Sequence, residues 1–177
     1  NLCAPIELSF PGQFLMQEKV VDLDVNGKSL LWPWRYSQKV KKIVIHHTAQ
    51  TLRDLDNDGK MTDRDYDLAM QAIYRYHTVS RKWGDIGYHY IVDPNGNIYE
   101  GKAGGKDVIG AHVLCQNTGT VGIAVMGNFI DEKVPEKAFN GLVELVTYLS
   151  ELYDINPLGK SSFRGSVFPH IVTHADI

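Results

Sequence analysis

The sequence predicts an α/β fold: a single domain with a central mixed β-sheet flanked by helices. Short apolar runs of strand length, such as residues 43–45 and 121–126, are separated by longer segments with helical periodicity. In chain order the predicted elements run β, α, β, β, β, α, β, which is typical of helices packed on a sheet. The length of 177 residues, with 44% hydrophobic and 22% charged residues, suits one globular domain.

The composition excludes several classes of partner. The net charge of -3 disfavours non-specific binding to nucleic acid, so no nucleic-acid partner is expected. No apolar run approaches the roughly 20 residues that a bilayer-spanning helix needs, so no transmembrane segment is expected. The two cysteines, Cys3 and Cys115, lie far apart in sequence, and whether they pair in an oxidising compartment stays open.

Residues 1–40 are predicted to form an N-terminal extension that contains a hairpin and packs on the domain. Residues 21–25 alternate apolar side chains with aspartates, and Asn26 and Gly27 supply a two-residue turn before residues 29–31, Ser-Leu-Leu. An Asn-Gly pair tolerates the positive φ angles of a type I′ hairpin turn. The domain proper is therefore expected to occupy residues 41–177.

Two apolar runs, one near each end of this domain, stop at a histidine. Residues 43–45 lead into His46 and His47, and residues 171–173 lead into His174. Continuous apolar runs are typical of strands buried on both faces. A buried strand holds its last residue rigidly, and a rigid imidazole can act as a metal ligand or a general base. The alternative for each histidine is a purely structural role.

Helices are predicted on either side of the middle strands. Apolar residues recur at helical spacing over residues 68–78, and His77 near the end of this helix would interact favourably with its dipole when protonated. A second helix begins at Pro135 and keeps its apolar stripe to about Tyr153. Residues 156–169 are rich in glycine, proline and serine and are expected to form a loop.

Residues 87–92 and 97–100 are predicted to be strands joined by a tight Asp-Pro-Asn-Gly turn. Side chains alternate between the two faces of a strand. Alternation therefore predicts Tyr88 and Tyr90 on one face and His89 on the other, as a packed core histidine.

The acidic segment 54–65 has the spacing of a calcium-binding loop. Aspartates occupy loop positions 1, 3 and 5, and Gly59 stands at position 6, where an EF-hand turns sharply. Aspartate at position 12, where an EF-hand has glutamate, resembles dockerin-type loops. No helix is predicted to enter the loop, and a solvated acidic loop is the alternative. The predicted structural Ca²⁺ ligands are Asp54, Asp56, Asp58, Lys60 (through its backbone carbonyl), Thr62 and Asp65.

Four blocks in fixed order identify a family that the sequence resembles. The blocks are KKIVIHHTA, WGDIGYHYIVDPNGNIYEGK, IGAHVLCQNTGTVGIAVMGNF and VTHADI. Together they are similar to the zinc-dependent N-acetylmuramoyl-L-alanine amidases of type 2, a family that includes peptidoglycan recognition proteins and some phage endolysins. The resemblance covers residues 41–177 apart from the acidic segment, and it implies a fold like that of peptidoglycan recognition proteins.

The resemblance also implies a role for each matching residue. His46 and His174 correspond to two ligands of a catalytic Zn²⁺, and Tyr88 corresponds to a tyrosine that assists catalysis beside the metal. His112 and Asn117 match positions that line the substrate groove. A catalytic zinc site uses three protein ligands and lowers the pKa of water to about 7, which suits hydrolysis of a resistant amide bond.

The third zinc ligand is where this sequence departs from the family pattern. In the family a cysteine or aspartate follows the second histidine by about eight to ten residues, whereas this sequence stops three residues after His174. Asp176 is too close to match that ligand, and Cys115 belongs to the groove segment. We therefore expect the third ligand to lie beyond Ile177 in the natural protein.

The function predicted from the resemblance is zinc-dependent hydrolysis of the amide bond between N-acetylmuramic acid and L-alanine in peptidoglycan. The partner is then peptidoglycan or a muropeptide, and the expected location is secreted or at the cell envelope. One alternative is a non-catalytic peptidoglycan-binding module on the same fold. Another is a cytosolic amidase that recycles small muropeptides.

Overall fold

The computed structural model describes Phe14–Leu15 and residues 35–177. Its strands are β1 (Phe14–Leu15), β2 (Lys42–His47), β3 (Tyr90–Val92), β4 (Ile98–Glu100), β5 (Thr120–Val125), β6 (Lys160–Phe163), β7 (Ser166–Pro169) and β8 (Ile171–Thr173). Its helices are α1 (Asp63–Arg75), which continues as a π-helical turn over Tyr76–Ser80, α2 (Glu136–Leu152) and a final 3-10 turn, His174–Asp176. None of the helices in these residues is long and apolar enough to cross a membrane.

Six strands form the central sheet, in the order β1-β4-β3-β5-β2-β8. Only β3 and β4 pair in antiparallel fashion, and every other neighbouring pair in this sheet is parallel. The prediction of an α/β fold with a mixed sheet is therefore confirmed. Because β2 and β8 are adjacent and parallel, their carboxyl ends lie at the same edge of the sheet.

The two faces of the sheet bury two apolar clusters. On β3, Tyr90 and Val92 join one cluster while Ile91 joins the other, as alternation along a strand requires. Helix α2 covers the first face with a stripe that confirms the predicted second helix: Ala138, Leu142, Leu145 and Leu149. Helix α1 covers the second face through Tyr66, Ala69, Met70, Ile73 and Tyr74.

Helix α1 begins at Asp63, five residues before the predicted start at residue 68. The Asp65 carboxylate accepts the Thr62 backbone N–H at 2.8 Å and its hydroxyl at 3.1 Å, which satisfies groups that the first helical turn leaves free. The prediction placed the start too late because it assigned these polar residues to a metal loop and missed their capping pattern.

Residues 160–169 form a hairpin, so the prediction of a loop over 156–169 was wrong for most of that segment. Strands β6 and β7 are joined at Arg164 and Gly165, whose φ angles are both positive, at 52° and 88°. The buried Lys42 ammonium on β2 donates to both Ser161 and Phe168 of the hairpin. Strand β6 is mostly polar, and β7 carries Val167 and Phe168 side by side, so neither strand shows the alternation of apolar and polar residues that would have revealed it.

The N-terminal extension is only partly described. The hairpin predicted around Asn26 and Gly27 lies outside the described residues, and so it remains a prediction. The backbone of β1 pairs with β4, and Tyr36 forms an isolated bridge with Val108. The described parts of the segment before β2 therefore contact the domain at β4 and at Val108.

Candidate metal centre

Two histidines meet at the carboxyl edge of the sheet, where β2 and β8 end side by side. Ile45 is paired with Thr173, and so the residues that follow, His46 and His174, are neighbours. Their Nδ1 atoms are 3.0 Å apart, and their ring centroids are 4.8 Å apart. His46 is buried and His174 is exposed, so the pair opens to solvent on the side of His174. The structure thus brings together the two strand ends that the sequence singled out.

The environment keeps His46 neutral. Burial, followed by the neighbouring His174 and His47, lowers the pKa of His46 to about 3. A neutral imidazole retains a lone pair on one ring nitrogen, as metal ligation requires. Two nitrogen ligands of one tetrahedral zinc lie roughly 3.3 Å apart, since each Zn–N distance is about 2.0–2.1 Å. The 3.0 Å separation of the Nδ1 atoms therefore fits a shared ion.

Tyr88 lies beside this pair. Its ring centroid is 5.4 Å from that of His46, and burial raises the pKa of its hydroxyl, so the phenol is a hydrogen-bond donor at neutral pH. Strand β3 begins only at Tyr90, and Tyr88 packs with the α1 cluster while Tyr90 packs with the α2 cluster. The predicted common face for these tyrosines was wrong because strand alternation does not extend back to residue 88.

The backbone around Tyr88 is fixed from two sides. Lys102 donates its backbone N–H to the Tyr88 carbonyl at 2.9 Å, and Ala111 donates to the Gly87 carbonyl, also at 2.9 Å. A Cβ on Gly87 would lie 2.5 Å from the Ala111 oxygen, so a side chain does not fit at this position. Beneath this segment the Lys102 ammonium forms a buried ion pair with Asp85 at 3.0 Å.

His77 and Trp83 flank Tyr88 on its other side. The His77 ring stacks on Trp83 at 4.7 Å and lies 5.5 Å from the Tyr88 ring. Its Nδ1 accepts the Gly87 N–H at 3.2 Å. Burial lowers the pKa of His77 to about 4, so the predicted interaction of its protonated form with the helix dipole is not made at neutral pH. Trp83 was not singled out from sequence, although it opens the WGDIGYHY block.

His112 lies against the ring nitrogen of His46 that faces away from His174. Its ring is buried, and its Nδ1 is 3.0 Å from Nε2 of His46. The Asn117 carboxamide oxygen accepts the backbone N–H groups of His112 and Val113, at 2.8 and 2.9 Å. The ring nitrogens of His112 and this oxygen of Asn117 thus have partners within the protein. The substrate-lining roles that the resemblance implies for both residues stay a prediction.

Neither Asp176 nor Cys115 completes a set of three ligands. The Asp176 carboxylate accepts the backbone N–H and the hydroxyl of Thr173, at 2.8 and 2.6 Å, and thereby caps the 3-10 turn. Cys115 is exposed. Over residues 35–177, one group of three or more His, Cys, Asp or Glu side chains brings its ligand atoms within 4.8 Å of one another, and it lies in the acidic loop. The ligand predicted beyond Ile177 stays a prediction.

The acidic loop gathers part of its predicted ligand set. Oxygen atoms of Asp54, Asp56 and Asp58 approach within 4.8 Å of one another, and Gly59 turns the chain with a φ of +85°. Asp65 stands apart from this group, because its fully buried carboxylate accepts the backbone N–H groups of Leu55, Asp56 and Thr62. The Thr62 hydroxyl donates to Asp65, and the Lys60 N–H donates to Asp58. Calcium binding by this loop stays a prediction.

Comparisons with known protein families, sequences and structures all point to amidases and peptidoglycan-recognition proteins. A family model described as N-acetylmuramoyl-L-alanine amidase matches residues 36–177. Peptidoglycan-recognition protein SC2 of Drosophila melanogaster is 37% identical over 86 residues, which make up 49% of this chain and 42% of that protein. The chain thus spans less than half the length of SC2.

Solved structures share the fold. The N-acetylmuramoyl-L-alanine amidase LysC from Clostridium intestinale has a TM-score of 0.60 and 28% identity, covering 87% of this chain and 82% of LysC. A Drosophila PGRP-LB variant in complex with tracheal cytotoxin has a TM-score of 0.64 and 24% identity, covering 86% of this chain and 82% of that chain. The match to PGRP-LB shows the fold.

The family match and the site geometry cover the same part of the chain. Residues 36–177 contain the paired histidines at the strand ends, Tyr88 beside them and both helices that cover the sheet. Fold, motif order and family model therefore agree. The chain belongs to the N-acetylmuramoyl-L-alanine amidase family.

Proposed function

We propose that this protein is a zinc-dependent amidase that cleaves the bond between N-acetylmuramic acid and L-alanine in peptidoglycan or in muropeptides. The observation that carries the proposal is the pair of Nδ1 atoms of His46 and His174, which face each other at 3.0 Å at a solvent-open edge. Amidases of this family typically use zinc. A related fold in complex with tracheal cytotoxin supports a muropeptide as the ligand class.

Three side chains have separate roles in the proposed reaction. His46 and His174 would hold zinc, which supplies a Lewis acid and lowers the pKa of water to about 7. Tyr88 is half-buried and keeps its proton at neutral pH, so its hydroxyl can donate to the scissile carbonyl oxygen as negative charge develops there. His46 is buried and neutral, so one of its ring nitrogens keeps the lone pair that a metal ligand needs.

The names of the curated relatives favour a second candidate, a module that binds peptidoglycan without cleaving it. Peptidoglycan-recognition protein SC2 of Drosophila melanogaster, which is 37% identical to this chain over 86 residues, is named for recognition. In the binding module, the same edge of the sheet would hold a muropeptide through Tyr88 and the surrounding loops.

Zinc analysis combined with product analysis separates these functions. The purified protein is loaded with zinc, its zinc content is measured, and it is incubated with peptidoglycan. Mass spectrometry then detects stem peptides with a free L-alanine amino group. An amidase should bind about one zinc and release these peptides, and His46→Ala or His174→Ala should abolish both properties.

A matched control is His170→Ala, since His170 hydrogen-bonds to the Asn156 carbonyl and lies outside the metal pair. This variant should keep both zinc and activity. Undiminished release of peptides by chelated, metal-free protein would contradict the zinc mechanism. Tight retention on peptidoglycan without any released peptide would instead support the binding module.

A further inference from the structure

A chain of hydrogen bonds runs from His46 inward, away from the metal pair. Nε2 of His46 lies 3.0 Å from Nδ1 of His112. Nε2 of His112 lies 3.3 Å from the Thr120 hydroxyl. That hydroxyl lies 2.8 Å from the Asn117 carbonyl oxygen and 3.1 Å from that of Gln116. One end of this chain of contacts is thus a metal-facing imidazole, and the other end is backbone.

The backbone end sets the direction of every bond in the chain. A carbonyl oxygen can only accept a hydrogen bond, so the Thr120 hydroxyl donates its proton to the backbone oxygen of Asn117 or Gln116. The hydroxyl oxygen then accepts a hydrogen bond from Nε2 of His112. A neutral His112 then carries its proton on Nε2 and offers a lone pair on Nδ1. A neutral His46 donates from Nε2 to that lone pair, which leaves its own Nδ1 unprotonated and facing His174.

We propose that His112 and Thr120 are positioning residues that hold His46 in the Nε2–H tautomer and so present its Nδ1 lone pair to the metal. This role rests on the proposed function, because it assumes that His46 is a zinc ligand. It differs from the groove-lining role that the resemblance implies for His112. A hydrogen-bond partner on the second ring nitrogen is the usual device for orienting a metal-binding histidine.

Packing holds the His112 ring in the one place where this chain of bonds can form. The ring lies over Gly122 on β5, where a Cβ would come within 2.4 Å of its Cγ. Gly110 is close on the other side, where a Cβ would lie 3.0 Å from Cδ2 of the same ring. Two glycines thus make the space that His112 occupies, and the ring is 7% exposed.

His89 supports the ring from below and has its own fixed partners. Its Nδ1 accepts the Gly122 N–H at 3.0 Å, and its Nε2 therefore donates to the Val108 carbonyl at 2.8 Å. Its ring meets that of His112 edge-on at 5.4 Å. Burial lowers the pKa of His89 to about 4, which keeps its ring uncharged.

Zinc affinity and tautomer are the two quantities that test this role. The Thr120→Val variant removes the hydroxyl but keeps the shape of the side chain, and Thr120→Ser retains the hydroxyl. Competition with a chromophoric chelator should show zinc affinity lower by about 10- to 100-fold in Thr120→Val and nearly native in Thr120→Ser. Thr147→Val is the matched control, since the Thr147 hydroxyl bonds within the exposed side of α2, and it should not change the affinity.

The second measurement needs neither zinc nor activity. Long-range ¹H–¹⁵N correlation spectra of the metal-free protein with ¹⁵N-labelled histidine should show the Nε2–H tautomer for both His46 and His112. In Thr120→Val, His112 should lose this uniform tautomer while the remaining spectrum stays native. A proton on Nδ1 of His112 in the unmodified protein, or equal zinc affinity in Thr120→Val and Thr120→Ser, would overturn the proposal. Failure of the unmodified protein to bind zinc would refute the proposed function. The observed tautomers of His46 and His112 would still show which atom donates in each hydrogen bond from His46 to Thr120.

Discussion

The buried ion pair beneath Tyr88 allows a quantitative prediction. The Lys102 side chain is completely buried, and its ammonium lies 3.0 Å from the Asp85 carboxylate. Substituting Lys102→Met keeps most of the side-chain volume but leaves Asp85 buried without this cation. Removing one partner of a buried ion pair costs about 3–5 kcal/mol of unfolding free energy.

Other contacts of Asp85 place the expected loss near the lower limit. Its carboxylate also accepts the backbone N–H groups of Ile86 at 2.7 Å and Ala103 at 3.0 Å, and these donors remain in the variant. We therefore expect Lys102→Met to lose about 3 kcal/mol, or roughly 6–12 °C in Tm for a domain of this size. The double variant Lys102→Met, Asp85→Asn should recover part of this loss, because the amide oxygen still accepts both N–H groups without a buried charge.

Urea unfolding followed by circular dichroism, with the slope of the transition checked for constancy, measures the free energies. Lys137→Met is the matched control, since Lys137 is exposed on α2, and it should change the unfolding free energy by less than about 0.5 kcal/mol. A loss below about 1 kcal/mol in Lys102→Met would refute the reasoning, and so would a double variant less stable than the single one.

Three further predictions address catalysis, pH and calcium. Tyr88→Phe should keep zinc but slow turnover by about 10²-fold or more, and unchanged turnover would assign the ring to packing. Burial raises the pKa of Glu100 to about 7, above its unfolded value, so its ionisation should lower stability progressively between about pH 4.5 and 7. The Glu100→Gln variant should not lose stability over this pH range. Parallel curves of unfolding free energy against pH for the variant and the unmodified protein would contradict the prediction. Calorimetric titration should detect calcium binding with a gain in Tm, whereas an equal gain in an Asp56→Ala, Asp58→Ala double variant would show that the loop is not the site.

Local sequence was sufficient where a pattern repeats along the chain. The helical stripe after Pro135 predicted α2, because apolar residues at helical spacing can be buried together only on one side of a helix. The apolar runs before His46 and His174 predicted two strands that were expected to be buried on both faces. Strand β2 is largely buried, whereas β8 lies at the edge of the sheet with Val172 as its buried residue. Such patterns depend on neighbours a few residues away, and those neighbours are visible in the sequence.

Local sequence failed where polar groups carry the structure. The β6–β7 hairpin is held by contacts of its own backbone and by the buried Lys42, and neither leaves an apolar period in the sequence. The start of α1 was likewise hidden, because Asp65 serves as a cap for Thr62 while it also fits a metal-loop spacing. One residue type at one position can satisfy two patterns, and only its contacts decide between them.

The sequence by itself determined the fold class, the family resemblance and the two strand-end histidines, because each depends on the order and spacing of residues along one chain. Only the tertiary structure showed that His112 faces His46, since this contact joins residues 66 positions apart. It also requires the absence of a side chain at Gly122 on a third element. No periodicity encodes a contact of this kind, because it arises only when separate strands pack and bring their side chains within hydrogen-bonding distance.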